Sequence, residues 1–369
     1  MRPSRPHRGP SLLAGTVLLT GLCLPATAQE EPIATFDDLS EVKEVLLDVI
    51  AVDRSGQIVT GLGRDDFVIE EDGEAVEITG VSFYTTRYGP DGALLNADGA
   101  VPSSRYFIFF FHDRISSGSI GDYLARQRSK ARRGSLTWVE KHMLPSDWIA
   151  VASYDLRLKV HQDFSQDRLA LAAAIKSATA RKDPEKGLGR RGRPLPPAGT
   201  PALLRHLPAG KALRRESRNF YDGLRLIAEA AGYAVGRKNL LLFSAGFGQL
   251  DSGGSISETD RRRYPPMVHA LNDHNVAVYP IDLTPVGVYH HQSRLLAILA
   301  VETGGLYFRD PISFLVPLQR VSEETAGYYL ISYQSQRPAV RSGFQRVEVR
   351  ARDRSIMLRA RKGYRYGSE

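Results

Sequence analysis

Cysteine is almost missing: the 369-residue chain contains one, Cys23. A chain with one thiol forms no internal disulfide, builds no Cys-based zinc site, and beyond residue 23 has no thiol nucleophile. Long apolar runs are missing too. The longest near the amino terminus, residues 12–24, is shorter than the roughly 20 residues that span a bilayer. Arg2, Arg5 and Arg8 precede it, and Ala26-Thr27-Ala28 offers small residues after it. This is the layout of a secretory signal peptide over residues 1–28, with a retained anchor as the alternative. Leu22 before Cys23 is a poor fit to a lipid-modified cysteine. The expected location is therefore secreted or periplasmic after cleavage, with no transmembrane span left. An oxidising compartment reached without disulfides leaves stability to the hydrophobic cores alone.

Catalytic signatures are equally scarce. No Gly-rich phosphate loop occurs. Ser244 ends an apolar run as a hydrolase nucleophile would, but Leu242 stands where Gly-x-Ser-x-Gly needs its first glycine. His290 and His291 are adjacent, and His269 and His274 are five apart, off a common helical face. No nucleophile, base and orienting group assemble from these motifs, so no enzyme is expected and no catalytic residue is assigned.

Charge is unevenly spread. Residues 181–218 hold eleven Lys or Arg against three acids, as much net positive charge as the +8 of the whole chain. The basicity belongs to this one Pro/Gly/Arg-rich segment, read as an extended surface loop. Arg190, Arg191, Arg193, Arg214 and Arg215 are its candidates for gripping a polyanion. Interleaved aromatics for base stacking are lacking, which argues against specific nucleic-acid recognition.

What the chain does have is a run of apolar strands. Residues 105–119 read RYFIFFFHDRISSGS. Six unbroken apolar residues suit a central strand covered by helices on both faces, and Asp113 falls at its carboxyl end, where open α/β sheets bind ligands. WIAVASY (148–154), NLLLF (239–243) and VAVYPI (276–281) repeat the pattern between helical segments. Residues 156–160 alternate as an exposed edge strand, Ser165 reads as a helix cap, and 306–308 as a short strand. The expected fold is α/β, a doubly wound Rossmann-like domain with a mostly parallel sheet over residues 105–310. Residues 29–87 form short strands with Asp-Gly and Ser-Gly turns, and 88–104 a linker. Residues 311–369 give a helix and further alternating strands. Neither β segment is large enough for a core of its own, so the two ends are expected to complete one β-sandwich around the inserted α/β domain, with separate small β units at each end as the alternative.

In this order the motifs resemble those of bacterial secreted proteins related to the von Willebrand factor A domain. They are VTGLGRDDFVIEEDG (59–73), FIFFFHD, LPSDWIAVASYD (144–155), QDFSQDRLAL (162–171), GRKNLLLFSAGF (236–247), ETAGYYLISY (324–333) and ARKGY (360–364). The resemblance implies a doubly wound von Willebrand factor A domain that binds a protein ligand or cell-surface component without catalysis. It also implies a metal-ion-dependent adhesion site holding Mg²⁺, with the loop pattern Asp-x-Ser-x-Ser. Here that loop is Asp113-Arg114-Ile115-Ser116-Ser117. Asp113 and Ser117 match, Ile115 replaces the first Ser, Thr200 stands for the threonine loop, and Ala245 lies where the later Asp is expected. Asp113, Ser117 and Thr200 are thus the degenerate metal set, and Mg²⁺ demands near-octahedral oxygen ligation. Asp113, Arg114, Ser116, Ser117, Ser244 and Asp251 form the expected binding face. The alternatives are a hydrolase on an α/β scaffold and polyanion binding through the Arg-rich loop.

Overall fold

The computed structural model describes residues 44–85, 101–102, 104–113, 118–184, 195–248, 257–284, 292–309, 311–335 and 343–366. Residues 1–28, with the signal-peptide layout, fall outside these ranges, as do Arg114, Ser116, Ser117, Asp251 and Arg190, Arg191 and Arg193. Strand β1 (Glu44–Val52) is buried along almost its whole length. It ends in a turn where the Asp53 carboxylate accepts from the Ser55 and Gln57 N–H groups. β2 (Phe67–Glu71) and β3 (Glu74–Val76) form a hairpin. Asp72 and Gly73 between them both take positive φ (49° and 89°), the primed turn that Asp-Gly favours. β4 (Ile78–Thr85) and the short β5 (Val101–Pro102) follow.

The α/β part then alternates: β6 (Arg105–His112), α1 (Gly118–Lys141), β7 (Asp147–Tyr154), β8 (Leu158–Ser165), α2 (Arg168–Thr179), α3 (Lys211–Glu216) and α4 (Phe220–Ala231). It continues with β9 (Lys238–Ser244), α5 (Glu258–Arg261), α6 (Tyr264–Asp273), β10 (Val276–Asp282), α7 (Gln292–Glu302) and α8 (Leu315–Glu324). The chain finishes with β11 (Gly327–Gln334), β12 (Gly343–Ala351), β13 (Met357–Arg359) and β14 (Gly363–Tyr366).

The central sheet runs β10-β9-β6-β7-β8, parallel except for β8. β6 is the middle strand. Phe107, Phe109 and Phe111 face a core shared with Trp138 of α1, Leu171 of α2 and Leu318 of α8. Ile108 and Phe110 face the opposite core, with Leu224 of α4, Met267 of α6 and Leu295 of α7. Burial on both faces is why the run lacks alternation. Gly134 lets α8 come close to α1, since a Cβ there would sit 2.9 Å from the Phe314 carbonyl carbon.

The two ends of the chain do build one sandwich. One sheet is β13-β1-β11-β4-β5 and the other β14-β12-β2-β3. Leu47, Phe67, Ile69, Tyr329, Ile331 and Val347 fill the space between them. α8, by contrast, packs with the α/β domain through Phe314, Leu318 and Val321.

Three local expectations are corrected. The edge strand β8 is mostly buried, because Leu203, Leu207 and Leu213 join the core it shares. The segment 195–218 is thus packed structure and includes α3. The cap of α2 is Asp167, whose carboxylate accepts from the Leu169 and Ala170 N–H groups, while Ser165 Oγ accepts from Asp167 N–H. Residues 306–308 make only an isolated bridge, Phe308 to Ile281.

Candidate functional site

Asp113 is the first residue past β6, and its N–H donates to the Tyr154 carbonyl oxygen at 2.9 Å. That bond holds it between the carboxyl ends of β6 and β7, on the rim. Its carboxylate is already taken. Oδ2 accepts from Arg128 Nη1 at 2.7 Å, reaching back from α1, and from Arg181 Nε, just beyond α2. Arg181 adopts a left-handed conformation (φ 57°) at the helix end. Its hydrogen bond to Asp113 holds the guanidinium pKa above the ordinary value, with Asp113 and Asp155 adding attraction. Beside this clamp, Lys159 Nζ lies 2.6 Å from Asp155, and Arg157 pairs with Asp183. Asp113 and Asp155 are thus faced by Arg128, Arg181 and Lys159, which leaves one positive charge in excess. Arg181 remains 43% exposed.

The β7–β8 turn adds an unusual residue. Leu156 has φ 106° and is 71% exposed. A bulky side chain in that backbone region is strained by about 1–3 kcal/mol, and such strain concentrates at binding sites.

Ser244 ends β9, next to β6, and its Oγ lies 2.8 Å from His112 Nδ1. The same Oγ accepts from the Gly246 N–H at 3.0 Å, and the residue is 0% exposed. The Phe220 ring covers His112 at 4.2 Å, and the tilted Phe247 ring packs on Phe220 at 4.7 Å. Ser244 is therefore a buried tie between two strand ends beneath an aromatic floor. Asp282, two strands from β6, accepts from Thr284 N–H and Oγ1 and from the Tyr307 hydroxyl at 2.6 Å.

Of the expected metal set Ser117 lies outside the described residues, and Thr200 is not brought to Asp113. Thr200 Oγ1 donates to the Pro197 carbonyl at 2.7 Å, within its own turn. Three residues on, Leu203 and Leu204 donate their N–H groups to Asp163. Asp163 lies toward the end of β8 that pairs with Ile149, away from the rim end, where Leu158 pairs with Tyr154. With Asp113 held by two guanidinium groups, Ala245 in the place of an acid and Thr200 bonded elsewhere, the described residues do not fit an octahedral cation. Among the described residues no cluster of three His, Cys, Asp or Glu is close enough to hold a metal. Of the polyanion candidates, Arg215 lies 3.3 Å from Glu216, and Arg214 lines a small groove with Asp183. Sequence reading missed Arg128, Arg181 and Leu156. The first lies in a helix so rich in arginine that nothing marks it out.

No family model matches the sequence, and no curated protein does. Comparison with solved structures finds the von Willebrand factor domain of the type V pili tip protein Mfa5 from Porphyromonas gingivalis. The two are 11% identical with a TM-score of 0.39, over 61% of this chain and 95% of that one. A von Willebrand factor type A protein from Catenulispora acidiphila matches at 11% identity and 0.36, over 88% and 74%. Proximal thread matrix protein 1 of the mussel byssus matches at 13% and 0.37, over 60% of this chain but only 47% of its own length. The fold assignment itself rests on the strand order of the central sheet. No helix among the described residues is long and apolar enough to cross a membrane.

Proposed function

We propose that this chain is a secreted or periplasmic, non-enzymatic docking module of the von Willebrand factor A type. It takes an acidic group of a protein or cell-surface partner on the rim around Asp113, and it does so without a metal ion. The observation that carries this reading is the double clamp on Asp113. In the family it resembles, a cation bridges the site's carboxylate to an acid of the partner. Here two guanidinium groups bind that carboxylate instead, and half-exposed Arg181 offers further donors to a second carboxylate. Leu156, held outward beside them, supplies an apolar contact.

The Ser244–His112 bond is the single feature that favours a hydrolase. Complete burial and the bond from Gly246 N–H leave Ser244 Oγ no path to a substrate. The test is comparative capture from the secreting organism's envelope fraction, using immobilised full chain and its Arg181→Glu variant, each in EDTA and in Mg²⁺. The expected result is a partner set held equally in both buffers by the wild type and lost with Arg181→Glu. A set that Arg181→Glu retains, or hydrolytic turnover abolished by Ser244→Ala, would overturn the proposal.

A further inference from the structure

One face of the central sheet is covered by α2, α1 and α8, whose apolar sides meet in a shared core. α2 lies beside the carboxyl-terminal end of α1, where Arg168 donates to the Glu140 and Met143 carbonyl oxygens. α8 lies against Gly134. The middle helix, α1, buries Leu124, Gln127, Ala131, Ser135 and Trp138. It turns Arg126, Lys130 and Arg133 outward, a stripe at i, i+4 and i+7. Residues 126–133 read RQRSKARR, five bases without an acid, and the two acids of the helix, Asp122 and Glu140, stand near its ends.

Of these five bases Arg128 finds a carboxylate, that of Asp113. Among the described residues Arg126, Lys130, Arg132 and Arg133 make no ion pair. Arg132 and Arg133 share the Ser129 hydroxyl at 3.3 Å, and Arg126 lies 5.9 Å from the Tyr123 ring centre. Arg126 and Lys130, like Arg128 and Arg132, are four residues apart, a spacing at which like charges destabilise a helix. Elsewhere this chain fills that spacing with an acid, as in Arg225–Glu229 on α4 and Arg320–Glu324 on α8. α2 adds Arg168 and exposed Lys176 and contains no acid. The stripe runs about 10 Å along α1 at 1.5 Å per residue, longer than one phosphate and suited to a continuous anionic surface. Beside it stand exposed aliphatic side chains: Leu169 at the start of α2 (84%), Ile312 just before α8 (91%) and Val316 within it. Protruding aliphatics next to unneutralised bases suit the surface of an anionic bilayer, the bases at the headgroups and the aliphatics at the acyl boundary. Trp138 is buried and Tyr123 half-buried, which leaves α1 no platform for stacking nucleic-acid bases.

We infer that the α2–α1–α8 face is a peripheral membrane-binding surface. Arg126, Lys130, Arg132, Arg133 and Lys176 engage the phosphates of an anionic bilayer, while Leu169, Ile312 and Val316 enter its interface. The surface uses no residue of the Asp113 rim. The test is co-sedimentation of the full chain with vesicles of phosphatidylcholine alone and of phosphatidylcholine with one-third phosphatidylglycerol, at physiological ionic strength. The wild type is compared with Arg126→Glu/Lys130→Glu/Arg133→Glu and with Leu169→Ser/Ile312→Ser. The control, Arg261→Glu/Arg262→Glu/Arg263→Glu, makes the same charge change at exposed positions beside α6, on the opposite face of the sheet. The apolar run 12–24 is common to all four proteins, so their differences read the helical face. The expected result is wild-type binding to the anionic vesicles alone, falling as salt is raised. The α1 reversal should weaken it by roughly ten-fold or more, the aliphatic variant several-fold and the control little. All four should melt alike, because every changed position is exposed. The inference is overturned if the α1 reversal binds as tightly as the control, if the aliphatic variant binds like the wild type, or if the two vesicle compositions bind equally. Tighter binding of the wild type to duplex DNA or poly-glutamate than to the anionic vesicles would likewise overturn it.

Discussion

Asp113 could be read from the sequence as a carboxylate at the tip of a buried strand, because an unbroken apolar run followed by an acid has few other uses. Its partners could not be read. Arg128 is fifteen residues away along a helix and Arg181 sixty-eight residues away. Only folding brings them to one oxygen. Leu156 was equally silent, since a left-handed backbone at a leucine leaves no trace in composition. It is also where a residue-scale prediction falls. Leu156→Gly removes a Cβ from a positive-φ position, and the relief of strain outweighs the entropy glycine adds to the unfolded chain. Thermal melting of this variant should give a midpoint no lower than the wild type, with weaker partner capture. A midpoint several degrees lower would mean that the residue serves the fold and not the rim.

At the scale of elements, the strands and most helices were legible because each period-2 or unbroken apolar run is bounded by turn residues. The segment 195–218 was not. Its arginines, prolines and glycines dominate composition, while the three leucines that bury it are spaced too irregularly to show a period. What holds it is a carboxylate forty residues upstream: buried Asp163 accepts from the N–H groups of Phe164, Leu203 and Leu204. Asp163→Ala orphans these donors and should cost about 2–4 kcal/mol in denaturant unfolding. Limited trypsin digestion should then cut at Arg205 or Lys211 well before global unfolding. A loss within error of zero would mean that the leucines alone fix the segment.

For the whole molecule, the pairing of the two chain ends was legible from a deficit, since neither β segment could bury a core alone. Its polar ties were not. Glu71 of β2, buried in the sandwich, accepts from the hydroxyls of Tyr333 and Ser335 near β11 and of Tyr364 in β14. Burial is the main reason the Tyr364 hydroxyl is pushed up to about 12. Glu71→Ala should therefore destabilise the first and last parts of the chain together, in one unfolding transition, by about 2–4 kcal/mol. Two separated transitions would contradict the single sandwich.

Lys238, at the base of β9, is 2% exposed and donates to the Ala234 carbonyl at 2.9 Å. Burial holds its ammonium down to about 8, against the opposing pull of Asp48. Between pH 8 and the ordinary lysine value of 10.5, the unfolded chain keeps a proton that the folded chain has lost. Stability should therefore rise with pH across that window and lie flat below it for this group. Lys238→Met should flatten the rise and stabilise the protein at pH 7. A wild-type stability that falls from pH 8 to 10 while Lys238→Met follows it in parallel would show that the lysine is not desolvated.

Two guanidinium groups occupy the carboxylate which a metal ion would otherwise need. The most direct measurement is thermal unfolding of the wild type, Asp113→Ala and the Arg128→Ala/Arg181→Ala double variant over a titration of Mg²⁺ and Mn²⁺. The wild-type midpoint should not move with either ion. A saturable rise in the wild type, absent from Asp113→Ala, would contradict it.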